Sequence, residues 1–200
     1  AGEYNISYTN GDGTVPLKSA EAMLADKTYY LKDATHALMP SASGVKELIA
    51  NILTATSTDN FDISPYPNLA TSATDCNIPN GKIVSFHSPI ELHIYSGDNH
   101  AGPNTDGDIE NNIPGISYEV IDGNKFAFLP DGIEYIVKGI ATDDGTFNAR
   151  IETVENEITV ETRYFNQVPI ASTTQVELTD NSILIDNNSD GIFESEFPVS

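Results

Sequence analysis

Two short segments carry residues able to work as a pair. The first is Asn10-Gly11-Asp12-Gly13-Thr14-Val15-Pro16; the second, one helix and one strand later, is Asp33-Ala34-Thr35-His36-Ala37-Leu38-Met39-Pro40. A carboxylate that accepts a hydrogen bond from one imidazole nitrogen fixes the tautomer of the ring and stabilises the imidazolium, while the other nitrogen takes a proton from a hydroxyl. Asp12 and His36 are the expected acid and histidine of such an arrangement. Gly11 and Gly13 permit the tight backbone path that aims the carboxylate.

The order of the two matters as much as their types. In α/β-hydrolases the triad runs nucleophile, acid, histidine along the chain, and the last helix follows the histidine. The Gly-Asp-Gly-Thr-Val-Pro run at residues 11–16 resembles the acid loop of the lecithin–cholesterol acyltransferase-like and related lipase families, and the resemblance spans roughly residues 4–54. It implies that Asp12 is the catalytic aspartate, that His36 is the catalytic histidine, and that the substrate is a lipid or other ester. One part of the pattern is missing: no Gly-x-Ser-x-Gly elbow occurs in the 200 residues, nor any oxyanion-hole segment. Ser41, Ser43 and Ser96 lack strand–elbow–helix surroundings. The nucleophile is therefore expected outside this chain, in a missing N-terminal part of the hydrolase, and the 200 residues alone are expected to be inactive.

A second set of candidate ligands lies near the C-terminus. Asp186-Asn187-Asn188-Ser189-Asp190-Gly191-Ile192-Phe193-Glu194 places oxygen donors at loop positions 1, 3, 5 and 9 and glycine at 6, as calcium loops do. Asp186, Asn188, Asp190 and Glu194 are the expected ligands of a calcium ion, although position 12 is not glutamate and an acidic turn accounts for the same residues. Asp98, Asp106, Asp108 and Glu110 form another acidic group whose spacing matches no known loop. His87, His93 and His100 show no metal-ligand spacing, and they read as surface or partly buried polar residues.

The elements that must hold these groups divide the chain. Residues 1–54 alternate strand and helix signals: a short helix over 19–25, a strand over 27–32 with Tyr29, Tyr30 and Leu31, and a second helix. In that helix Val45, Leu48, Ile49, Ile52 and Leu53 make an apolar stripe that Ser41 or Ser43 caps. So few elements cannot enclose a core of their own, and the segment reads as the end of a larger sheet-and-helix domain. Residues 55–82, rich in Thr, Ser, Asp, Asn and Pro, read as a linker or loop. From residue 83 the period is two. Ile90, Leu92 and Ile94 alternate with Glu91, His93 and Tyr95; Phe147, Ala149 and Ile151 alternate with polar neighbours; so do Ile158, Val160, Thr162 and Tyr164. Glu155-Asn156-Glu157, Asp122-Gly123, Asp131-Gly132 and Asp144-Gly145 mark turns. The fold class is thus an α+β fragment: the C-terminal end of an α/β-hydrolase sheet over 1–54, then an antiparallel β-sandwich accessory domain over 83–200.

Charge and composition set the outer limits. Thirty acidic against nine basic side chains give −21, which repels nucleic acid and anionic membrane surfaces. Four basic and six acidic residues fall in 1–54, leaving five basic and twenty-four acidic for the remainder, so the two regions have different surfaces. No apolar run is long enough for a transmembrane helix, and Cys76, the lone cysteine, excludes an intrachain disulfide. An extracellular or cell-surface location is the expectation. The alternative is non-enzymatic: an acidic, calcium-stabilised, surface-binding or structural β-sandwich module to which residues 1–54 are a remnant.

Overall fold

The computed structural model describes residues 10–12, 14–23, 25–32, 34, 36–54, 61–76 and 79–200. The chain forms two compact units, residues 1–78 and 79–200. Gly13, Asp33 and Thr35 of the two motifs lie outside the described residues.

In the first unit the described elements are a single helical turn α1 (Leu17–Ala20), a two-residue strand β1 (Tyr30–Leu31), helix α2 (Val45–Thr54) and a second short strand β2 (Leu69–Ala70). β1 and β2 pair antiparallel, Tyr30 opposite Ala70 and Leu31 opposite Leu69. Within the expected linker or loop over 55–82, residues 61–76 are mostly loop and carry contacts to Tyr29, Tyr30, Leu31 and Ser43. Phe61 packs edge-on against Tyr29 and stacks on Tyr66, and the Asn68 amide donates to the Ser43 carbonyl. Strands of two residues carry no period, so the segment gave no strand signal. A parallel α/β-hydrolase sheet is not among the described elements of this unit.

Helix α2 follows the 3.6-residue spacing of its apolar side chains, but its cap is neither serine. The Leu48 amide donates to the Gly44 carbonyl, which puts Gly44 at the cap with φ +84°. Gly44 is needed there for a second reason, since a Cβ would come within 2.6 Å of the Tyr66 ring and 2.8 Å of Leu69. Of the stripe only Leu48 is buried. Ile49 and Ile52 are each 48% exposed and Leu53 78%.

The second unit is entirely antiparallel. One sheet has five strands: β3 (Gly81–His87) at its centre, flanked by β10 (Gly145–Glu155) and then β11 (Ile158–Ile170) on one side, and by β8 (Asn124–Pro130) and then β7 (Ser117–Ile121) on the other. The other has seven. Its β4 (Ile90–Ser96) lies between β9 (Ile136–Ala141) and β5 (Asn99–Pro103); β6 (Ile109–Asn111) closes one edge, and β12 (Gln175–Leu178), β13 (Ser182–Asp186) and β14 (Ser195–Pro198) extend the other. The inner faces share one core, in which Val84, Phe86, Ala149 and Phe165 of the first sheet meet Ile90, Leu92, Val176 and Ile183 of the second. The alternating runs at 90–95, 147–152 and 158–164 are strands, as their period requires. Asn156-Glu157 and Asp122-Gly123 are two-residue turns with positive φ at both positions, the geometry that matches the twist of a hairpin. Among the described residues no helix is long and apolar enough to cross a membrane.

Candidate functional site

The acid loop is a small closed structure. Gly11 bridges to Pro16, the Leu17 amide donates to the Asn10 carbonyl at 2.6 Å, and the Asp12 amide donates to the Val15 carbonyl. A Cβ at residue 11 would stand 2.6 Å from the Val15 carbonyl oxygen, so glycine is required by close approach of the backbone. Inside this loop one carboxylate oxygen of Asp12, Oδ1, accepts the amides of Thr14 at 3.0 Å and Val15 at 2.7 Å. The other, Oδ2, is left to face His36.

His36 stands between β1 and α2 and meets Asp12 twice. Its backbone amide donates to the Asp12 carbonyl at 2.8 Å, and its ring Nδ1 lies 2.7 Å from Asp12 Oδ2. An ionised carboxylate only accepts, so Nδ1 carries the proton and Nε2 is the free, basic nitrogen of the neutral ring. The histidine side chain is 57% exposed and the aspartate 13%. The His36 hydrogen bond and then the Val15 amide hold the Asp12 carboxyl down at about 2, against an opposing desolvation that outweighs the further help of the Thr14 amide. The aspartate is therefore charged under ordinary conditions. The pair has the geometry of the acid and base of nucleophilic acyl transfer: carboxylate, oriented imidazole, and an outward nitrogen ready to take a proton.

Among the described residues Ser41, Ser43 and Ser96 do not complete it. The Ser41 hydroxyl donates to the Leu38 carbonyl, Ser43 accepts the Asn68 amide at its own carbonyl, and Ser96 ends β4 in the other unit. Among the described residues none of the three serines is joined to His36.

The C-terminal acidic loop does converge. It follows β13, and oxygens of Asp186, Asp190 and Glu194 lie within 4.8 Å of one another. Asp186, buried, accepts the amides of Asn188 at 3.2 Å, Asp190 at 3.3 Å and Gly191 at 2.8 Å, and Glu194 accepts the Asn187 amide at 2.7 Å. Burial pushes the Asp186 carboxyl up, and the amides of Gly191, Asn188, Ser189 and Asp190 more than offset it, leaving it below its ordinary value. Asn188 donates its side-chain amide to Asp190 at 3.2 Å and accepts that residue's backbone amide at 3.0 Å. These are residues that can hold a hard cation through oxygen.

The other acidic group does not gather. Asn104 accepts the amides of Asp106 and Asp108, Glu110 is engaged by His100, and among the described residues Asp98, Asp106, Asp108 and Glu110 form no set of three within ligand reach. What sequence spacing missed is the association of His93 with His100. The β4–β5 hairpin sets Tyr95 opposite His100 and brings His93 Nδ1 to 3.0 Å from His100 Nε2. Only the hairpin register, centred on Gly97-Asp98, carried that information. His87 stays apart, bonded to Asn124 at 3.0 Å.

Comparison of this chain with models of protein families, with curated proteins and with solved structures finds no match.

Proposed function

We propose that these residues are the C-terminal part of a secreted, lipase-like serine ester hydrolase or acyltransferase, with Asp12 as the triad acid and His36 as its general base. The nucleophilic serine belongs to a part of the protein outside the 200 residues, and the β-sandwich is an accessory domain. The observation that carries the reading is the 2.7 Å contact between His36 Nδ1 and Asp12 Oδ2, which holds the ring proton on Nδ1 of a side chain that is itself exposed. Chain order supports it, acid before histidine before helix, as does the apolar stripe of α2, whose Ile49, Ile52 and Leu53 remain exposed among the described residues.

The chemistry follows from those groups. His36 Nε2 takes the serine proton as the oxygen attacks the ester carbonyl, Asp12 stabilises the imidazolium, and the proton is returned to the departing alcohol. Water or a second alcohol then accepts the acyl group. The acidic surface keeps the enzyme off nucleic acid. The experiment is hydrolysis of p-nitrophenyl esters by the natural polypeptide that carries these residues, beside His36→Ala. Activity abolished by the substitution, with the far-UV spectrum unchanged, is the expected result; activity indifferent to it removes His36 from the mechanism.

One observation favours a second reading. The convergence of Asp186, Asp190 and Glu194 with Asn188 fits a calcium-stabilised surface module with no catalytic part. Ester hydrolysis separates the two.

A further inference from the structure

The seven-stranded sheet turns Ile90, Leu92 and Ile94 to the core, so Glu91, His93 and Tyr95 of β4 face the opposite way. There His93 and His100 hydrogen-bond through Nδ1 and Nε2 at 3.0 Å, and His100 Nδ1 reaches Glu110 Oε1 on β6 at 2.7 Å. Tyr95 stacks on the His93 ring, centroids 6.3 Å apart, and lies tilted beside His100, centroids 4.8 Å apart. The space for this chain is made by Gly102, beside His93: a Cβ there would lie 3.2 Å from His100 Nε2 and 3.3 Å from His93 Cα.

The polarity of every bond is determined from one end. The Glu110 carboxylate only accepts, so His100 Nδ1 holds a proton; a neutral His100 then accepts at Nε2, so His93 Nδ1 holds a proton and His93 Nε2 is bare. That nitrogen has no hydrogen bond to the described residues and is not sealed from solvent.

The geometry points to a proton relay in which His93 is the port and His100 the store. A proton arriving from solvent binds His93 Nε2, and the Nδ1 proton crosses the 3.0 Å bond to His100 Nε2. The products are a doubly protonated His100 against Glu110 and a neutral His93 with its proton on Nε2. One proton enters and none is lost. His93 Nε2 has changed from hydrogen-bond acceptor to donor, so this face of the sheet presents opposite hydrogen-bonding character before and after uptake.

Burial, with His100 adding to it, holds His93 down at about 4. The charged and titratable neighbours are Glu91 and Tyr95 on β4, Lys138 opposite His93 on β9, Glu177 beyond it on β12, Asp98 in the β4–β5 turn and Asp108 before β6. From the other sheet Lys125 pairs with Glu91 at 3.1 Å, and the Tyr118 hydroxyl donates to the Leu92 carbonyl at 2.8 Å.

Long-range proton–nitrogen correlation spectra of the ¹⁵N-labelled chain, recorded from about pH 8 to about pH 5, read each ring nitrogen directly. The expected result is that both rings are Nδ1-protonated at the upper end, and that His93 becomes Nε2-protonated in the same step in which His100 gains its second proton. A His93 ring that is already Nε2-protonated at the upper end, or that keeps its Nδ1 proton after His100 is charged, overturns the relay. Glu110→Gln supplies a second reading, because an amide can donate or accept and no longer sets the direction. A mixture of His93 tautomers at the upper end is expected, and a single unchanged tautomer counts against the assignment.

Discussion

Acidification is expected to weaken the β-unit through His93 in a window that can be worked out in advance. The ring is buried on β4, and desolvation lowers its pKa from 6.5 to about 4. In the unfolded chain the same imidazole takes up a proton as the pH falls through 6.5, whereas the folded protein takes it up only near 4. Between those values the unfolded state binds more protons, so stability falls as the pH drops; the contribution is fully present above 6.5 and gone below about 4. At about 1.4 kcal/mol per pH unit the ceiling is about 3 kcal/mol, a substantial share of the stability of one domain. Urea unfolding of the full chain at a series of pH values, for wild type and for His93→Asn, isolates it. Asparagine keeps an amide donor where Nδ1–H stood and does not titrate. The many carboxylates that also titrate in acid cancel in the difference between the two proteins. The wild-type advantage should shrink by about 3 kcal/mol from pH 6.5 to pH 4. A difference constant to within about 0.5 kcal/mol would show that burial of the ring is not what sets its proton affinity.

Other outcomes follow from single contacts. Phe86→Ala removes a fully buried ring whose centroid lies 5.4 Å from that of Phe147, and should cost about 3–5 kcal/mol in urea unfolding. Gly139→Ala would bring a Cβ to 2.5 Å from Ile90, 2.7 Å from Val176 and 2.8 Å from Phe86; a loss of about 1–3 kcal/mol from overpacking is expected by the same measurement. Calcium should raise the melting temperature of the wild-type chain and leave Asp186→Ala unmoved, as read by calorimetry with and without chelator. If the natural polypeptide is the proposed hydrolase, Asp12→Asn should lower its kcat about 10⁴-fold with little change in KM, because an amide does not hold His36 in the Nδ1-protonated tautomer.

How much of this was legible in the sequence depended on whether a signal was local. Ile90 to Tyr95 and Phe147 to Ile151 alternate because one face of each strand meets the core and the other does not, and that asymmetry is written residue by residue. β3 is different: Ile83, Val84, Ser85 and Phe86 are all buried, so no alternation marked it. The pairing of Asp12 with His36 was readable because both motifs are short and each is marked by residues adjacent in sequence. The partnership of His93 with His100 and Glu110 was not, since it depends on hairpin register and on a glycine at residue 102 leaving room. The strand inside the expected linker or loop went unread for a related reason. Leu69-Ala70 is too short to show a period, and its partner Tyr30-Leu31 lies far away in the chain. The cap of α2 went to Gly44 instead of a serine because Tyr66 and Leu69, remote in sequence, leave no space for a Cβ.

The central claim is that Asp12 and His36 activate a serine lying outside these residues. Labelling of the natural polypeptide with a fluorophosphonate, followed by mass spectrometry of the modified peptide, tests it most directly. The account predicts one labelled serine upstream of Asp12, with labelling strongly reduced by His36→Ala and by Asp12→Asn. A protein that takes no label, or takes it equally in all three forms, would contradict the account and leave the paired carboxylate and imidazole as a structural feature of the acid loop.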